Sequence, residues 1–391
     1  MNDPTEHDDR MRSRRRRFLA GAGTLGIAGL AGCSALPGGF GASGDADADG
    51  TGGEPALIGS ARAGRELPGG TPMAEMPALS GRITVYSGRG EFLVGELMGA
   101  LRDRYPDLDL RVRYGGAADL ANQIRTEGQA SPADVFFTVN AGILGLLAGQ
   151  DRLRSLPETV LALGREGYQD PEGRWIGTSG RVRSVPYNTD TLAAGDIPAD
   201  ILAFPETSRF EDAIGWAPTY GSFQGFITVM RILNGDQTTR EWLRGMLDLG
   251  VQEYSDEFRV AQAVADGEID AGLTNHYYVI RVLQAREDVP LDLTFTQNDA
   301  GSFFNVAGAG VVDTTARPQQ ANNFVRHLLS AEAQDYFARS ATFEYPMIPE
   351  VSPIDRLPAF SELNPPDLDL AEFARADINE TIDLMEQVGV L

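Results

Sequence analysis

Apolar positions follow two alternating periods from residue 81 onward, and this alternation predicts the fold. Residues 81–87 (GRITVYS), 108–115 (LDLRVRYG) and 133–139 (ADVFFTV) are short runs rich in β-branched and aromatic residues, which predicts strands. Residues 91–105 and 117–128 instead place apolar side chains three or four positions apart, which is typical of amphipathic helices. This order of strands and helices continues past residue 270 and predicts an α/β fold with mostly parallel sheets.

Polar and aromatic residues follow several of these predicted strands directly. They are Ser87 to Gly90 after the first strand, Thr138 to Asn140 after 133–139, and Tyr277 and Tyr278 after an apolar run that ends at Leu273. Open α/β sheets bind ligands beyond the carboxyl ends of their strands. We therefore expect a ligand site that is built from these loops.

The adjacent tyrosines Tyr277 and Tyr278 are the strongest single chemical signal. Residues 269–273 predict a short strand, Thr274 and Asn275 are capping residues, and the residues that follow have helical spacing. On a strand the two rings would point to opposite faces, whereas in the first turn of a helix they can converge. A helix N-terminus also favours negative charge.

Phenolate oxygen is a hard anionic donor, and a small trivalent cation such as Fe³⁺ prefers oxygen to sulfur. Paired phenols at a strand end therefore predict a ferric site. The alternative is that a strand-helix junction packs two aromatic rings into the core.

The N-terminus predicts export and a lipid anchor. Arg14 to Arg17, followed by Phe18, Leu19 and a short Gly/Ala-rich apolar stretch, resemble a twin-arginine signal. The stretch ends in Leu-Ala-Gly-Cys at Cys33, which resembles a lipidation site. Cys33 is the only cysteine, so internal disulfides are excluded. We expect a protein held at the extracellular face of the cell membrane by a lipid on Cys33.

Composition predicts three segments. Residues 1–33 are the signal, and residues 34–80 are rich in Gly, Ala, Asp and Pro, which predicts a flexible tether. The folded part begins near Gly81 and is long enough for two lobes. Asn379 begins a triplet that matches a glycosylation acceptor.

The charge balance excludes nucleic acid as a partner. The chain has a formal net charge of -23, and all its 33 Lys+Arg residues are arginine. Phosphate backbones require a basic face, which this balance does not provide. The acidic, lysine-free composition resembles that of proteins from extreme halophiles.

Five segments, in order, resemble the periplasmic ferric-ion-binding proteins of iron(III) ABC importers, a branch of the type II solute-binding proteins. The segments are ITVYSGRGE (83–91), SPADVFFTVNAG (131–142), SGRVRSVPYNTD (179–190), GWAPTYGSFQGF (215–226) and AVADGEIDAGLTNHYYVIR (263–281). The resemblance covers about residues 80–350.

The resemblance implies a two-lobed type II periplasmic-binding-protein architecture with a hinge. The first lobe would comprise 81–180 and 305–355, and the second 181–304 and 356–391. It implies a monomer that captures Fe³⁺ between the lobes, often with carbonate or a similar anion, and passes it to the permease and ATPase subunits of an importer.

Carried over by position, Tyr277 and Tyr278 match the paired metal ligands, and Tyr187 is a further metal ligand candidate. Arg89 and Arg181 would clamp the synergistic anion, because a guanidinium fork fits an oxyanion. The residues that would hold this anion, or another solute, are Ser87, Arg89, Ser179, Arg181 and Ser222.

The chain departs from the family pattern at two ligand positions. A histidine and a glutamate of some members correspond to Gly90 and Val139, and neither of these residues can coordinate a metal. Tyr86, Glu91 or Tyr220 could supply a further oxygen, although Tyr86 is expected to pack within its strand. The same architecture with an anionic or organic solute, such as a phosphonate, is the alternative.

Enzymatic function is not expected. The chain has no G-x-S-x-G elbow and no H-E-x-x-H helix, and no histidine accompanies a plausible serine nucleophile.

Overall fold

A computed structural model describes residues 57–59, 65–340 and 342–391. The predicted signal at 1–33, with Cys33, and most of the predicted tether lie outside the described residues. Among the described residues, no helix combines the length and apolar character that crossing a bilayer requires.

Helices and strands alternate along most of the chain, as the hydrophobic periods predict. The strands are β1 (Gly81–Ser87), β2 (Leu108–Tyr114), β3 (Val135–Thr138), β4 (Leu153–Arg154), β5 (Ile176–Asn188), β6 (Ile214–Trp216), β7 (Gln252–Glu253), β8 (Ala271–Gly272), β9 (Thr274–Asn275), β10 (Leu291–Thr294), β11 (Phe304–Val312) and β12 (Tyr345–Pro346). The helices are α1 (Glu91–Arg104), α2 (Ala117–Glu127), α3 (Ala141–Ala148), α4 (Glu158–Leu161), α5 (Gly221–Asp248), α6 (Glu257–Asp266), α7 (His276–Ala285), α8 (Pro318–Leu328), α9 (Ala331–Arg339), α10 (Leu370–Arg375) and α11 (Ile378–Val388).

In chain order, β1, α1, β2, α2 and β3 form two consecutive βαβ units that share β2. β1 pairs in parallel with both β2 and β3, because each is connected to the next through a crossover helix. β11 then joins β3 in the antiparallel direction. The predicted strands at 81–87, 108–115 and 133–139 and the predicted helices at 91–105 and 117–128 are confirmed.

β5 joins two parts of the sheet, because its pairing partners change along its length. Its residues from Ile176 to Val182 pair with β11, and its residues from Arg183 onward pair with β9, β8 and β10. In the second part, β6 lies between β7 and β8 in parallel register. The change of partners lies close to the predicted lobe boundary at 180/181; the lobe boundaries themselves remain a prediction.

The C-terminal segment, which is predicted to belong to the second lobe, contacts both parts of the sheet. α11 packs on α5, where the Thr228 and Thr381 hydroxyls lie 2.9 Å apart. α10 instead packs mainly on α3, and a Cβ added at Gly145 would overlap Ala374. Because α3 carries glycines on this face, α10 can approach the backbone of α3 closely. The helical periodicity of the sequence alone does not predict this contact.

Residues 65–80 belong to the folded unit, so the predicted tether extends too far. Arg65 makes a bidentate ion pair with Asp335, with N–O distances of 2.6 and 2.7 Å. The Met73 amide donates to Glu332, and Met73 and Leu79 are buried in the main core. This stretch has few large apolar residues, but those few pack in the main core, which is formed mostly by the rest of the chain.

Two apolar clusters support the sheet. The main core contains most of the buried aromatics, including Trp175 and Trp216. A smaller cluster forms between α6 and α7, with Val260, Val264 and Val279 at its centre and the tyrosine pair at its edge. The candidate site therefore stands on a rigid apolar base.

We expect Gly180→Ala to destabilise the protein. Gly180 lies in β5 between β11 and β12, and a Cβ there would overlap the Phe304 ring. Overpacking of this kind typically costs about 1–3 kcal/mol. Urea denaturation measures the loss, and Gly195→Ala is the control because no atom lies within 4 Å of an added Cβ there. Equal stability of the two variants would contradict the prediction.

Candidate metal site

The tyrosine pair lies in the first turn of α7, as the sequence predicts. β8 and β9 precede the helix, which begins at His276 with Asn275 as its N-cap residue. The Asn275 side chain makes no capping hydrogen bond; its amide instead donates to the Tyr277 hydroxyl at 3.4 Å. The residue that precedes the helix therefore orients a phenol.

The two rings converge. Their centroids lie 4.4 Å apart at an interplanar angle of 51°, and Tyr277 is half-buried whereas Tyr278 is buried. The Tyr220 hydroxyl lies 2.5 Å from the Tyr278 hydroxyl. Three phenols from two helix N-termini thus lie close together.

Parallel strand pairing explains why Tyr220 reaches the pair. β6 and β8 are neighbours in the sheet, with Ile214 opposite Ala271 and Gly215 opposite Gly272. Tyr220 is the N-cap residue of α5, the helix that follows β6, and the tyrosine pair begins the helix that follows β8 and β9. The carboxyl ends of parallel neighbours meet at one sheet edge, and so do the residues that follow them.

Burial keeps the paired phenols protonated in the metal-free protein. It raises the pKa of Tyr277, which the Arg181 guanidinium opposes and the Glu257 carboxylate reinforces. Burial also raises the pKa of Tyr278, and the neighbouring Tyr277 adds to that rise. The Arg281 guanidinium carbon lies 4.7 Å from the centroid of the Tyr277 ring and 5.5 Å from that of Tyr278.

Tyr187 lies apart from these phenols among the described contacts. It sits on β5 opposite Ala271 and Asp292 and belongs to the main core rather than to the cluster of Tyr277 and Tyr278. Burial raises its pKa, and Asp292 adds to the effect. That Tyr187 is a metal ligand remains a prediction, and no described contact with the tyrosine pair supports it. The phenol that lies beside Tyr278 is that of Tyr220.

Ser87, Arg89 and Ser179 lie together in one buried network. The Arg89 guanidinium donates to the Ser179 hydroxyl at 2.6 Å and to the Glu344 carboxylate at 2.7 Å. Ser179 donates to the same carboxylate at 2.5 Å, and Ser87 bonds the Arg89 backbone. Glu344, which the sequence analysis missed, therefore occupies the guanidinium that was predicted to clamp an anion.

Burial opposes ionisation of Glu344, but Arg89, Ser179 and Arg181 together hold its pKa below the usual range. The carboxylate is therefore charged at neutral pH. The Arg89 guanidinium also packs against the Phe137 and Phe337 rings, and the residue is buried.

Ser222 belongs to a second buried network around Glu257, also missed by the sequence analysis. The Ser222 hydroxyl donates to Oε1 of Glu257 at 2.6 Å, and the Arg183 guanidinium pairs with the same oxygen. The backbone amide of Asn275 donates to Oε2 of Glu257 at 2.8 Å. Glu257 is fully buried at the start of α6. Its neighbours in sequence gave no signal, because a glutamate in a first helical turn is ordinarily solvated.

Arg181 is the predicted clamp residue that remains half-buried. Its guanidinium donates to the backbone carbonyl of Val139, which follows β3. Val139 thus contributes a carbonyl rather than a side chain. Gly90 is the N-cap residue of α1, and it has no side chain that could coordinate a metal.

Tyr86 and His276 are engaged elsewhere. Tyr86 packs in its strand, as predicted, and donates to Glu127 at 2.9 Å. His276 is fully buried: its Nε2 donates to the Phe343 carbonyl at 2.9 Å, and its Nδ1 accepts from the Val182 amide at 3.2 Å. Within the described ranges, His, Cys, Asp and Glu do not gather in groups of three that suit a metal. A metal at this site would therefore depend on phenol oxygen.

Comparison with known proteins decides the family. The profile of the family described as bacterial extracellular solute-binding protein matches residues 130–372. The chain belongs to this family. The family binds solutes for transport, which confirms the expectation that the chain is not an enzyme.

Named relatives in this family confirm the resemblance found in the sequence. The chain is 29% identical over 322 residues to the major ferric iron-binding protein of Neisseria meningitidis, covering 81% of this chain and 95% of that protein. It is 30% identical to iron-bound HitA from Pseudomonas aeruginosa, with a TM-score of 0.70 and coverage of 79% and 99%. Trichodesmium FutA in complex with iron and citrate is 25% identical, with a TM-score of 0.69 and coverage of 79% and 99%.

These structures confirm the fold class predicted from the sequence, an α/β, two-lobed periplasmic-binding-protein architecture. The relatives carry iron-related names.

We expect the unfolding free energy to fall as the pH is lowered from about 6.5 to 5. Burial lowers the pKa of His276 and of His327 to about 4, whereas unfolded histidines take up protons below about 6.5. Because the unfolded state then binds more protons, each histidine contributes a slope of about 1.4 kcal/mol per pH unit.

Urea denaturation at several pH values measures this slope. His276→Gln should reduce the slope by the contribution of one histidine. His327→Gln is the control and should reduce the slope by the same amount. An unchanged slope in His276→Gln would show that the folded protein already protonates this ring.

Proposed function

We propose that the protein captures Fe³⁺ outside the cell and delivers it to an ABC importer. The observation that carries this proposal is the convergence of the Tyr220, Tyr277 and Tyr278 phenols at one sheet edge. The iron-related names and titles of the relatives at 25–30% identity support the same cargo.

Charge and hardness favour a ferric ion among the metals. Three phenolates supply three negative charges, which match the charge of Fe³⁺ with hard oxygen donors. Zn²⁺ or Cu²⁺ would require His or Cys, and Ca²⁺ or Mg²⁺ would require carboxylates, which are engaged elsewhere around the phenols. Protonation of the phenolates, or reduction of the iron, would release the cargo.

A small anion would complete the coordination. Arg181 is half-buried and acts on the Tyr277 phenol, so a carbonate-like anion on its guanidinium would lie next to the metal. This assigns Arg181 the role predicted from the resemblance. Ser87, Arg89, Ser179 and Ser222 would support that position through their networks rather than bind the anion directly.

Capture would couple to a hinge motion of two lobes, with first-lobe residues 81–180 and 305–355 and second-lobe residues 181–304 and most of 356–391. β5 connects the two parts of the sheet and would bend at the change of partners. The protein would act as a monomer that presents its closed form to the permease and ATPase subunits.

The alternative cargo, an anionic or organic solute such as a phosphonate, is less well supported. The guanidiniums of Arg89 and Arg183 are already paired with Glu344 and Glu257. A phosphonate would therefore find one available clamp rather than several.

We expect the purified protein to become coloured when it binds Fe³⁺. Three substitutions should each weaken iron binding: Tyr277→Phe, Tyr278→Phe and Tyr220→Phe. The loss should exceed the roughly 10–100-fold that outer partners of a metal contribute, because each variant removes a direct ligand. Tyr277→Phe and Tyr278→Phe should also release one proton fewer per iron bound near pH 7, since burial keeps these two phenols protonated beforehand. Visible absorption and pH-stat titration measure both effects.

Tyr254→Phe is the matched control, because Tyr254 packs against the same apolar cluster but directs its hydroxyl to Gln252. It should keep the colour and the proton count. A wild-type protein that stays colourless with ferric nitrilotriacetate would refute the proposal.

We also propose, from the sequence, that a lipid on Cys33 tethers the exported protein to the extracellular face of the membrane. Cys33→Ser should then move the protein from the membrane fraction to the soluble extracellular fraction, because the variant lacks a thiol to lipidate. Fractionation of cells that express each form measures the distribution. An unchanged membrane fraction would contradict the anchor.

A further inference from the structure

Three helices begin at the sheet edge that carries the phenols. β7, β6 and β8 are parallel neighbours, and the helices that follow them along the chain are α6, α5 and α7. α5 begins after Tyr220, α6 begins at Glu257, and α7 begins at His276, directly before the tyrosine pair. Strand pairing sets the edge at which these helices start, but the angles at which helices pack scatter by about 15–20°. Strand pairing alone therefore does not fix the distances between the phenols.

The Glu257 carboxylate joins the three helix starts. Its Oε1 accepts a hydrogen bond at 2.6 Å from the hydroxyl of Ser222, which lies in the first turn of α5. Its Oε2 accepts a hydrogen bond at 2.8 Å from the backbone amide of Asn275, the N-cap residue of α7. Because Glu257 is the first residue of α6, one side chain links the starts of α5, α6 and α7.

β5 holds this carboxylate in place. The Arg183 guanidinium pairs with Oε1 of Glu257, and its central carbon lies 5.1 Å from the centroid of the Phe226 ring on α5. Arg183 is 4% exposed and Glu257 is fully buried. A buried carboxylate that loses a donor stays out of water without compensation, so this arrangement is costly to distort.

Both helix links end close to proposed metal ligands. Ser222 is two residues after Tyr220, and Asn275 is two residues before Tyr277. The side-chain amide of Asn275 also donates to the Tyr277 hydroxyl at 3.4 Å. The Tyr220 and Tyr278 hydroxyls lie 2.5 Å apart, and this contact depends on how far the start of α5 lies from the start of α7.

The start of α5 needs a local restraint of this kind. Gly235 interrupts the helix with a non-helical backbone, at φ 79° and ψ 163°. The residues beyond it therefore do not continue the helical turn that begins after Tyr220, and they cannot set its direction through helix geometry alone. Tyr220 itself is half-buried, so packing encloses its ring less fully than that of Tyr278.

We propose that Glu257 is a positioning residue that fixes the separation of Tyr220 from the tyrosine pair. This inference rests on the proposed function. Glu257 acts through Ser222 and Asn275 rather than on the ion, and it keeps three phenols within reach of one ion before that ion arrives. Ligand geometry of this kind generally must be held to about 0.5 Å by residues that outer hydrogen bonds lock in place.

Ser222→Ala tests the link to α5 without changing a charge. We expect the full-length variant to bind iron roughly tenfold more weakly, the lower end of what outer partners of a metal contribute. In the Tyr220→Phe background the same substitution should change the affinity less than about twofold, because no phenol is left there to position. The intensity of the visible band during competition with EDTA measures each affinity.

Thr228→Val is the matched control for Ser222→Ala. It removes a buried hydroxyl from the same helix, but that hydroxyl lies 2.9 Å from the Thr381 hydroxyl and has no bond to Glu257. The control should keep the parent affinity in both backgrounds. Urea denaturation of the iron-free variants shows that each is folded.

Glu257→Gln tests the link to α7. A glutamine has one acceptor oxygen, and the Arg183 guanidinium should attract it, since charge-assisted hydrogen bonds are the stronger ones. The Asn275 amide then lacks an acceptor, so we expect its hydrogen exchange in the iron-free protein to be roughly tenfold faster or more. Iron affinity should fall in both backgrounds, because the tyrosine pair on α7 is released as well.

The outcomes separate this inference from the proposed function. If Ser222→Ala weakens iron binding equally in both backgrounds, the loss does not pass through Tyr220 and the inference is overturned. A folded Ser222→Ala variant with wild-type affinity overturns it too, as does unchanged exchange of the Asn275 amide in Glu257→Gln. Each of these results leaves the proposed function standing. A wild-type protein that stays colourless with ferric nitrilotriacetate overturns the proposed function, and this inference with it.

Discussion

The parallel pairing of β6 with β8 is the constraint on which the site depends. It brings the ends of two strands to one sheet edge, so the helices that follow start side by side with Tyr220 on one and the tyrosine pair on the other. Contacts between the side chains alone could not replace this strand pairing. Tyr220 and Tyr278 lie at the N-termini of two different helices, and the pairing holds those two helix starts together. The apolar cluster between α6 and α7 then fixes the rings in place.

Burial opposes ionisation of the paired phenols and of Glu344 alike, but only the Glu344 carboxyl has neighbours that outweigh this effect. The pKa of Tyr277 and of Tyr278 is raised, so these two phenols are uncharged at neutral pH. The Glu344 carboxyl is equally enclosed, but Arg89 and Ser179 hold its pKa down, so its charge is permanent. The site thus separates charges that are always present from charges that appear only when a cation displaces protons.

The sequence predicted the elements well and the partners across the sheet poorly. Local signals placed β1, α1 and the first turn of α7, because periodicity and capping residues act over a few positions. Glu344 and Glu257 were missed, since their partners Arg89 and Arg183 are 255 and 74 residues away in the chain. The tether was drawn too long for the same reason: Arg65 is held by Asp335, 270 residues later.

β5 connects these observations, because it carries Arg181 and Arg183 as well as the change of pairing partners. Val182, which separates Arg181 from Arg183, donates its amide to the buried ring of His276, the residue that precedes the tyrosine pair. The same ring donates to Phe343, next to Glu344. A bend of β5 at this point would therefore move the tyrosine helix, the Glu344 network and Arg181 relative to one another. Hinge closure and assembly of the coordination sphere would then be one physical event, since they share these backbone contacts.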